Sequence, residues 1–273
     1  MGTAVTIQRM VFGNAGGRSG AGVGFTRNPS NGEPTLWIDF LANAQGEDVV
    51  SGRRNAHGHE ALADLAPDAW NELSEATRTL ERLFGDMQDF EFTVEDSELF
   101  LLQARSGKRT PLAAARIALD LHEEGLIDRT TALQRTDTLA EDDLCTAHLA
   151  SDCGAPASPV AQAASACSGV SSGEIALDAE RAAKRAAKGH PVILVRNDAE
   201  TNDIGALEQS VGLLTRNGAR TSHAAVVARQ LGKVCLVGCE TLRIDIGDRS
   251  IQLGELALRE GDTITLDGNA GLV

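Results

Sequence analysis

His223 lies in the stretch TRNGARTSHAAVVARQLG, residues 215–232, directly after Thr221 and Ser222 and ahead of a run of small apolar side chains. Thr and Ser are helix-capping types, and Ala224, Val227, Ala228 and Leu231 recur at helical spacing until Gly232, a natural stop. The histidine is therefore expected at the start of a helix, beside backbone N–H groups that lack intrahelical partners. Such a position leaves a ring nitrogen available and stabilises a phosphoryl group attached to it. Arg220, Thr221 and Ser222 could each donate to phosphate oxygens, while Ala224 and Ala225 leave room beside the ring. On these residues alone, a helix-start histidine satisfied by a carbonyl is the competing reading.

A second set of chemical groups sits in DFEFTVEDSELFLLQAR, residues 89–105, which alternates on both sides of Asp96-Ser97-Glu98 and so predicts a β-hairpin. Pairing Phe90 with Ala104, Phe92 with Leu102 and Val94 with Phe100 across a three-residue loop puts the apolar residues on one face. The other face then sets Asp89 opposite Arg105 and Glu91 opposite Gln103. A solvent-facing hairpin with an incidental Asp–Arg pair is the alternative. The glycine-rich run from Gly13 to Gly24 is not followed by Gly-Lys-Ser/Thr, so it is no Walker loop. Turn-making glycines and phosphate contact explain it equally well.

The elements that must carry these groups read as α/β. The segment 13–33 predicts a turn, a short strand and a second turn, and 35–47 a strand and loop. Ala69, Leu73, Ala76, Leu80 and Leu83 predict a helix over 67–84 with that stripe inward. Residues 112–145 read as a helical connector, with a stop at Gly125 and a restart at Asp128. Residues 154–173, rich in small residues with Pro156 and Pro159, read as a linker or hinge. Beyond it, strand 191–196, helix 202–209, strand 211–215, helix 223–231 and strand 233–238 predict a small α/β core, followed by short strands with glycine turns.

Composition narrows the function classes. The net charge of −14 argues against general nucleic-acid or anionic-membrane binding, and 3% aromatics without tyrosine argues against base-stacking surfaces. The five cysteines, Cys145, Cys153, Cys167, Cys235 and Cys239, are odd in number and read as reduced thiols rather than a disulfide framework or a metal knuckle. No apolar run reaches the ~20 residues of a membrane span, and the start lacks a secretory pattern. A cytoplasmic protein is expected.

The wording TRNGARTSHAAVVARQLGKVCLVGC closely resembles the phosphohistidine segment of pyruvate, phosphate dikinase; phosphoenolpyruvate synthase and the first enzyme of the sugar phosphotransferase system share its theme. Ala219 departs from it, standing where the family usually has a second glycine. The resemblance extends over residues 3–128, where GNAGGRSGAGVGFTRNPSNGE, NAQGEDVVSG, DMQDFEFTVED and LFLLQARSGKRT look like the second half of that family's ATP-grasp domain. It implies that His223 becomes phosphorylated and that Arg220 and Ser222 support the phosphohistidine. It implies that Thr221 matches a position phosphorylated by a regulatory kinase in plants. It further implies that Glu91 and Gln103 hold Mg²⁺, with Glu47, Asp89 and Arg105 on the nucleotide and phosphate side.

The family's chemistry is ATP, pyruvate and phosphate to AMP, phosphoenolpyruvate and pyrophosphate through a phosphohistidine. The expected organisation is the C-terminal part of an ATP-grasp domain over 1–107, a helical linker over 108–155 and a swivelling β/β/α phosphohistidine domain over 156–273. Neither the front of the ATP-grasp fold nor the pyruvate-binding barrel is expected in the chain. It should therefore hold part of the relay, with ATP and phosphate as ligands, and reach pyruvate or phosphoenolpyruvate through a missing domain or partner chain. A homo-oligomer is possible. A non-catalytic or regulatory module acting with a partner is the alternative function.

Overall fold

The computed structural model describes residues 7–50, 56–150, 158–199 and 203–273. Cys153, Pro156, the 155/156 boundary and the start of the 202–209 segment lie outside the described residues, as do residues 3–6 and 51–55 of the resemblance.

The first sheet is antiparallel, in the order β2-β1-β3-β4, built from β1 (Gly20–Phe25), β2 (Trp37–Ala42), β3 (Gln88–Glu95) and β4 (Glu98–Ser106). The glycines of β1 have a packing role. A Cβ on Gly22 would lie 2.3 Å from the Phe92 ring, and one on Gly20 would lie 2.2 Å from Phe40. The missing side chains let Phe40, Phe90 and Phe92 lie across the strand, where they form a core with Ile38, Leu62 and Leu73. Neither a turn nor a phosphate contact accounts for these two glycines. Alanine at Gly22 is expected to cost about 2 kcal/mol through overpacking, read as a lower urea midpoint at unchanged slope.

Helices α1 (Gly46–Val50), α2 (His59–Leu65) and α3 (Pro67–Phe84) accompany this sheet; the first two have no counterpart in the sequence reading. Pro67 opens α3 and Gly85, at φ 59°, ends it. Its inward stripe differs from expectation: Ala69, Leu73, Thr77 and Glu81 are buried, whereas Leu83 is 72% exposed. A buried ion pair draws the helix round. Arg27 Nε lies 2.9 Å from Glu81 Oε1, and Arg27 Nη2 lies 2.7 Å from Glu124, which caps the C-terminus of α4 (Pro111–Glu123). Thr110 caps α4 through Ala113 N, and Asp128 caps α5 (Arg129–Thr136) through Thr131 N. A single 3₁₀ turn follows at Glu141–Leu144.

The second sheet has six strands in the order β13-β6-β7-β8-β9-β5. Its centre is parallel: β6 (Val170–Ala176), β7 (Val192–Arg196), β8 (Gly212–Thr215) and β9 (Val234–Val237), joined through α6 (Ala179–Ala186), α7 (Ile204–Gln209) and α8 (His223–Gln230). The edges, β5 (Ala164–Cys167) and β13 (Thr263–Asp267), are antiparallel. One core lies between the sheet and these helices. Another lies between the sheet and a three-stranded sheet of β10 (Leu242–Asp245), β11 (Ser250–Leu253) and β12 (Leu256–Arg259). The fold is α/β.

Two expectations need correction. The linker assigned to 154–173 is strand from Ala164 onward; its small residues serve close packing, since a Cβ on Gly173 would lie 2.8 Å from Pro191 O. The hairpin register is right only at its base. Asp89 faces Arg105, Phe90 faces Ala104 and Glu91 faces Gln103, but Phe92 then faces Leu101 and Val94 faces Leu99. A bulge makes Leu102 the extra residue, and the turn is Asp96-Ser97, both at positive φ (52° and 75°).

Candidate functional site

In an antiparallel sheet, directly opposed residues share a face. One row across all four strands reads Asp39, Val23, Glu91, Gln103, and the same-face row beside it reads Trp37, Phe25, Asp89, Arg105. The hairpin groups therefore lie on the face opposite the Phe40–Phe92 core. Arg105 Nε donates to Asp89 Oδ2 at 2.8 Å; hydrogen bonding to Asp89, only partly offset by burial, raises the guanidinium above its ordinary value. Asp89 Oδ1 is buried without a hydrogen-bond partner. Glu91 is half-buried and Gln103 exposed. Glu47 is exposed near the start of α1, which packs against β1 and β2.

His223 is the first residue of α8, at the carboxyl end of β8, and its ring is exposed. Ligands of open α/β sheets are held at such strand ends. Ser222 caps the helix, its Oγ accepting from Ala225 N at 3.4 Å. No ring nitrogen of His223 has a hydrogen-bond partner among the described residues. Ala219 is not at positive φ and its methyl is buried, so the chain accommodates it without strain.

The two halves meet on the polar face. Asp39 Oδ2 accepts from Thr221 N at 2.7 Å and from Thr221 Oγ1 at 2.9 Å, and Asp39 Oδ1 accepts from Arg220 Nε at 3.1 Å. Arg220 Nη2 donates to Ile38 O at 2.8 Å. Here Arg220 and Thr221 face the first sheet, while Ser222 faces its own helix. One residue separates Thr221 from His223, so their Cα atoms, two steps apart, lie within about 7.6 Å. The docked loop thus holds Thr221, two positions before the histidine, against the sheet face that also carries Asp89, Glu91, Gln103 and Arg105.

Arg229, near the other end of α8, is fully buried. Its Nε donates to Ala166 O at 3.1 Å and its Nη2 to Arg220 O at 2.9 Å, while Ser30 Oγ from the first half also donates to Ala166 O at 3.0 Å. Burial pulls this guanidinium below its ordinary range. Asp39, Trp37, Phe25 and Arg229 received no role from the sequence. One signal was available: a carboxylate inside the apolar strand WIDFLA needs a partner.

The cysteines form no part of this site. Cys145, Cys167, Cys235 and Cys239 are free thiols, and burial raises Cys167 to about 11 and Cys235 further. Among the described residues, no group of three or more His, Cys, Asp or Glu is placed to hold a metal by itself, and no helix is long and apolar enough to cross a membrane.

Comparison with known proteins finds a family model for each end of the chain. Residues 1–59 and 56–125 match the family model described as "Pyruvate phosphate dikinase, AMP/ATP-binding domain". Residues 188–271 match "PEP-utilising enzyme, mobile domain". The whole chain is 44% identical to the chloroplastic pyruvate, phosphate dikinase of Flaveria pringlei and 42% identical to pyruvate, phosphate dikinase 2 of Zea mays, each over 272 residues. It covers 28% and 31% of those proteins respectively, so it spans about three tenths of the length of the curated relatives it matches. With both domain types in order and this identity from end to end, the chain belongs to the pyruvate, phosphate dikinase family.

Proposed function

We propose that this chain is the nucleotide-to-histidine segment of a dikinase relay. His223 takes a phosphoryl group that originates in ATP and carries it towards pyruvate, which becomes phosphoenolpyruvate. The observation that supports the reading is an exposed, unpartnered imidazole at a helix start, two positions after a threonine that is bonded to Asp39 on the polar face of the first sheet. A ring nitrogen forms the N–P bond as the bond from phosphorus to its leaving oxygen breaks. The N–H groups opening α8 and the Ser222 hydroxyl would hold the phosphohistidine oxygens, joined by Arg220 once it leaves Asp39.

Asp89, Arg105 and Glu47 are assigned to the nucleotide side. Arg105 would offset charge that builds on the transferring group. Glu91 and Gln103 are directly opposed oxygen donors beside the unpartnered Asp89 Oδ1, which suits a cation using one or two protein ligands together with phosphates. They would hold Mg²⁺, which screens phosphate charge when bound. Thr221 is a candidate for regulation: a phosphoryl group on its hydroxyl would place negative charge against Asp39 and disfavour docking. The domains are read as 1–107, 108–155 and 156–273. Pyruvate, phosphate, a partner chain or second copy, and a cytoplasmic location belong to this reading.

The test supplies ATP, Mg²⁺, phosphate and the segments of a dikinase that this chain does not span, then maps acid-labile phosphate by mass spectrometry. An adduct on His223 is expected; its absence, with the chain folded, leaves a non-catalytic module.

A further inference from the structure

We propose that Trp37 is the residue by which the nucleotide half grips and aims the phosphohistidine unit, its ring holding both Arg220 and Arg229. The guanidinium carbon of Arg220 lies 4.5 Å from the Trp37 ring centroid and that of Arg229 lies 5.1 Å from it. Phe25, tilted at 51° with its centroid 5.8 Å from that of Trp37, presents a second face to Arg229 at 5.2 Å. A cation over an aromatic face is held by the ring quadrupole, most strongly by tryptophan.

The two arginines serve different ends. Arg220 is half-buried and also pairs with Asp39, so its contact belongs to the loop. Arg229 is fully buried, yet no carboxylate among the described residues comes within ion-pair distance of it. Both its hydrogen bonds go to carbonyls of its own unit, and its Nη1 has no partner. The guanidinium is therefore ordered from within before docking, and the aromatic faces are what docking adds. It stands six residues after His223 on the same short helix, about 9 Å along the axis. Asp39 fixes the loop that precedes the histidine, and Trp37 fixes the far end of the helix that bears it. Two fixed points set the direction of α8, which one could not. Trp37 is thus a positioning residue, and its contacts rest on the relay reading only for their purpose.

Amide hydrogen exchange on the intact chain tests the clamp. The Thr221 N–H, bonded across the interface, reports docking, while amides of β3 and β7 report the two cores. Trp37→Leu keeps apolar bulk and removes the ring; exchange at Thr221 and through α8 should rise roughly tenfold, with β3 and β7 unchanged. Trp37→Phe should fall between. Equal protection in Trp37→Leu and the unaltered chain would overturn the clamp, as would equal loss in the Leu and Phe variants. If Trp37→Leu also loosens β3, Arg220→Lys keeps a cation for Asp39 and removes the flat guanidinium over the ring: a rise of roughly threefold at α8 upholds the clamp and no rise refutes it. No arm involves phosphoryl transfer. A missing His223 adduct with normal protection counts against the relay alone, and a normal adduct with unchanged exchange counts against the clamp alone.

Discussion

Asparagine at His223 is expected to abolish the acid-labile adduct, below roughly one hundredth of the level on the unaltered chain, because it removes the imidazole nitrogen that the relay assigns to the N–P bond. Among the other imidazoles, His190 Nδ1 lies 2.6 Å from Glu174 Oε1, His122 Nδ1 lies 3.2 Å from Ile127 O and His59 stacks on Trp70 at 5.3 Å; exposed His57, bridged to Phe40 through its backbone, is checked in the same mapping. Because the ring is exposed, the substitution should change stability by no more than about 0.5 kcal/mol. Docking should persist as well, since Asp39 binds Thr221 and Arg220 rather than the histidine. The measurement is phosphate mapping beside thermal unfolding. A persistent adduct at another residue would remove His223 from the relay, and a large stability loss would revive the reading of a structural histidine.

The second large effect lies in the frame beneath the site. Glu81→Leu removes the carboxylate that faces Arg27, whose side chain is only 3% exposed. A buried charge stripped of its partner costs several kcal/mol; here the expected loss is about 3 kcal/mol, because Glu124 stays in place. For a protein of this size that lowers the melting midpoint of the nucleotide half by roughly 6–12 °C. In the unaltered chain the bonds to Glu81 and Glu124 outweigh burial and hold the pKa of Arg27 above its ordinary value; without Glu81 that support is reduced, but a guanidinium does not give up its proton in proteins, so the charge stays. Adding Arg27→Met should recover most of the loss, since a well-packed apolar pair often replaces a buried ion pair at little cost. A double variant no better than Glu81→Leu would show that the pair's role is geometric rather than electrostatic.

How much of this was legible in the sequence depends on whether a local pattern carried it. The helix bearing His223 announced itself through a capping pair, an apolar stripe and a terminal glycine, and α8 runs as that pattern dictates. The hairpin base was legible because polar and apolar residues alternate strictly near Asp89 and Arg105. Its tip was not, because Leu99, Phe100, Leu101 and Leu102 are all apolar and periodicity sets no phase among them. The inward turn of Glu81 was hidden for a related reason: a carboxylate reads as an outer-face residue until its arginine, 54 positions away, is known. Strands β5 and β6 were hidden by their own composition, which matches that of a linker. Asp39 and Trp37 lie beyond any local pattern, since their partners sit in a different unit of the chain, 181 residues along in the case of Asp39 and Arg220.

The bulge at Leu102 has a consequence for how this hairpin tolerates change. Between the turn and the Glu91–Gln103 rung, one strand already carries a residue more than the other, and the irregularity ends there. It acts as a slip joint. Lengthening or shortening the distal arm shifts which side chains face outward near the tip, as Leu101 already does at 40% exposure, and leaves the inner rung in phase. Sequence drift can therefore remodel the outer end of the ribbon while the groups assigned to phosphate stay aligned.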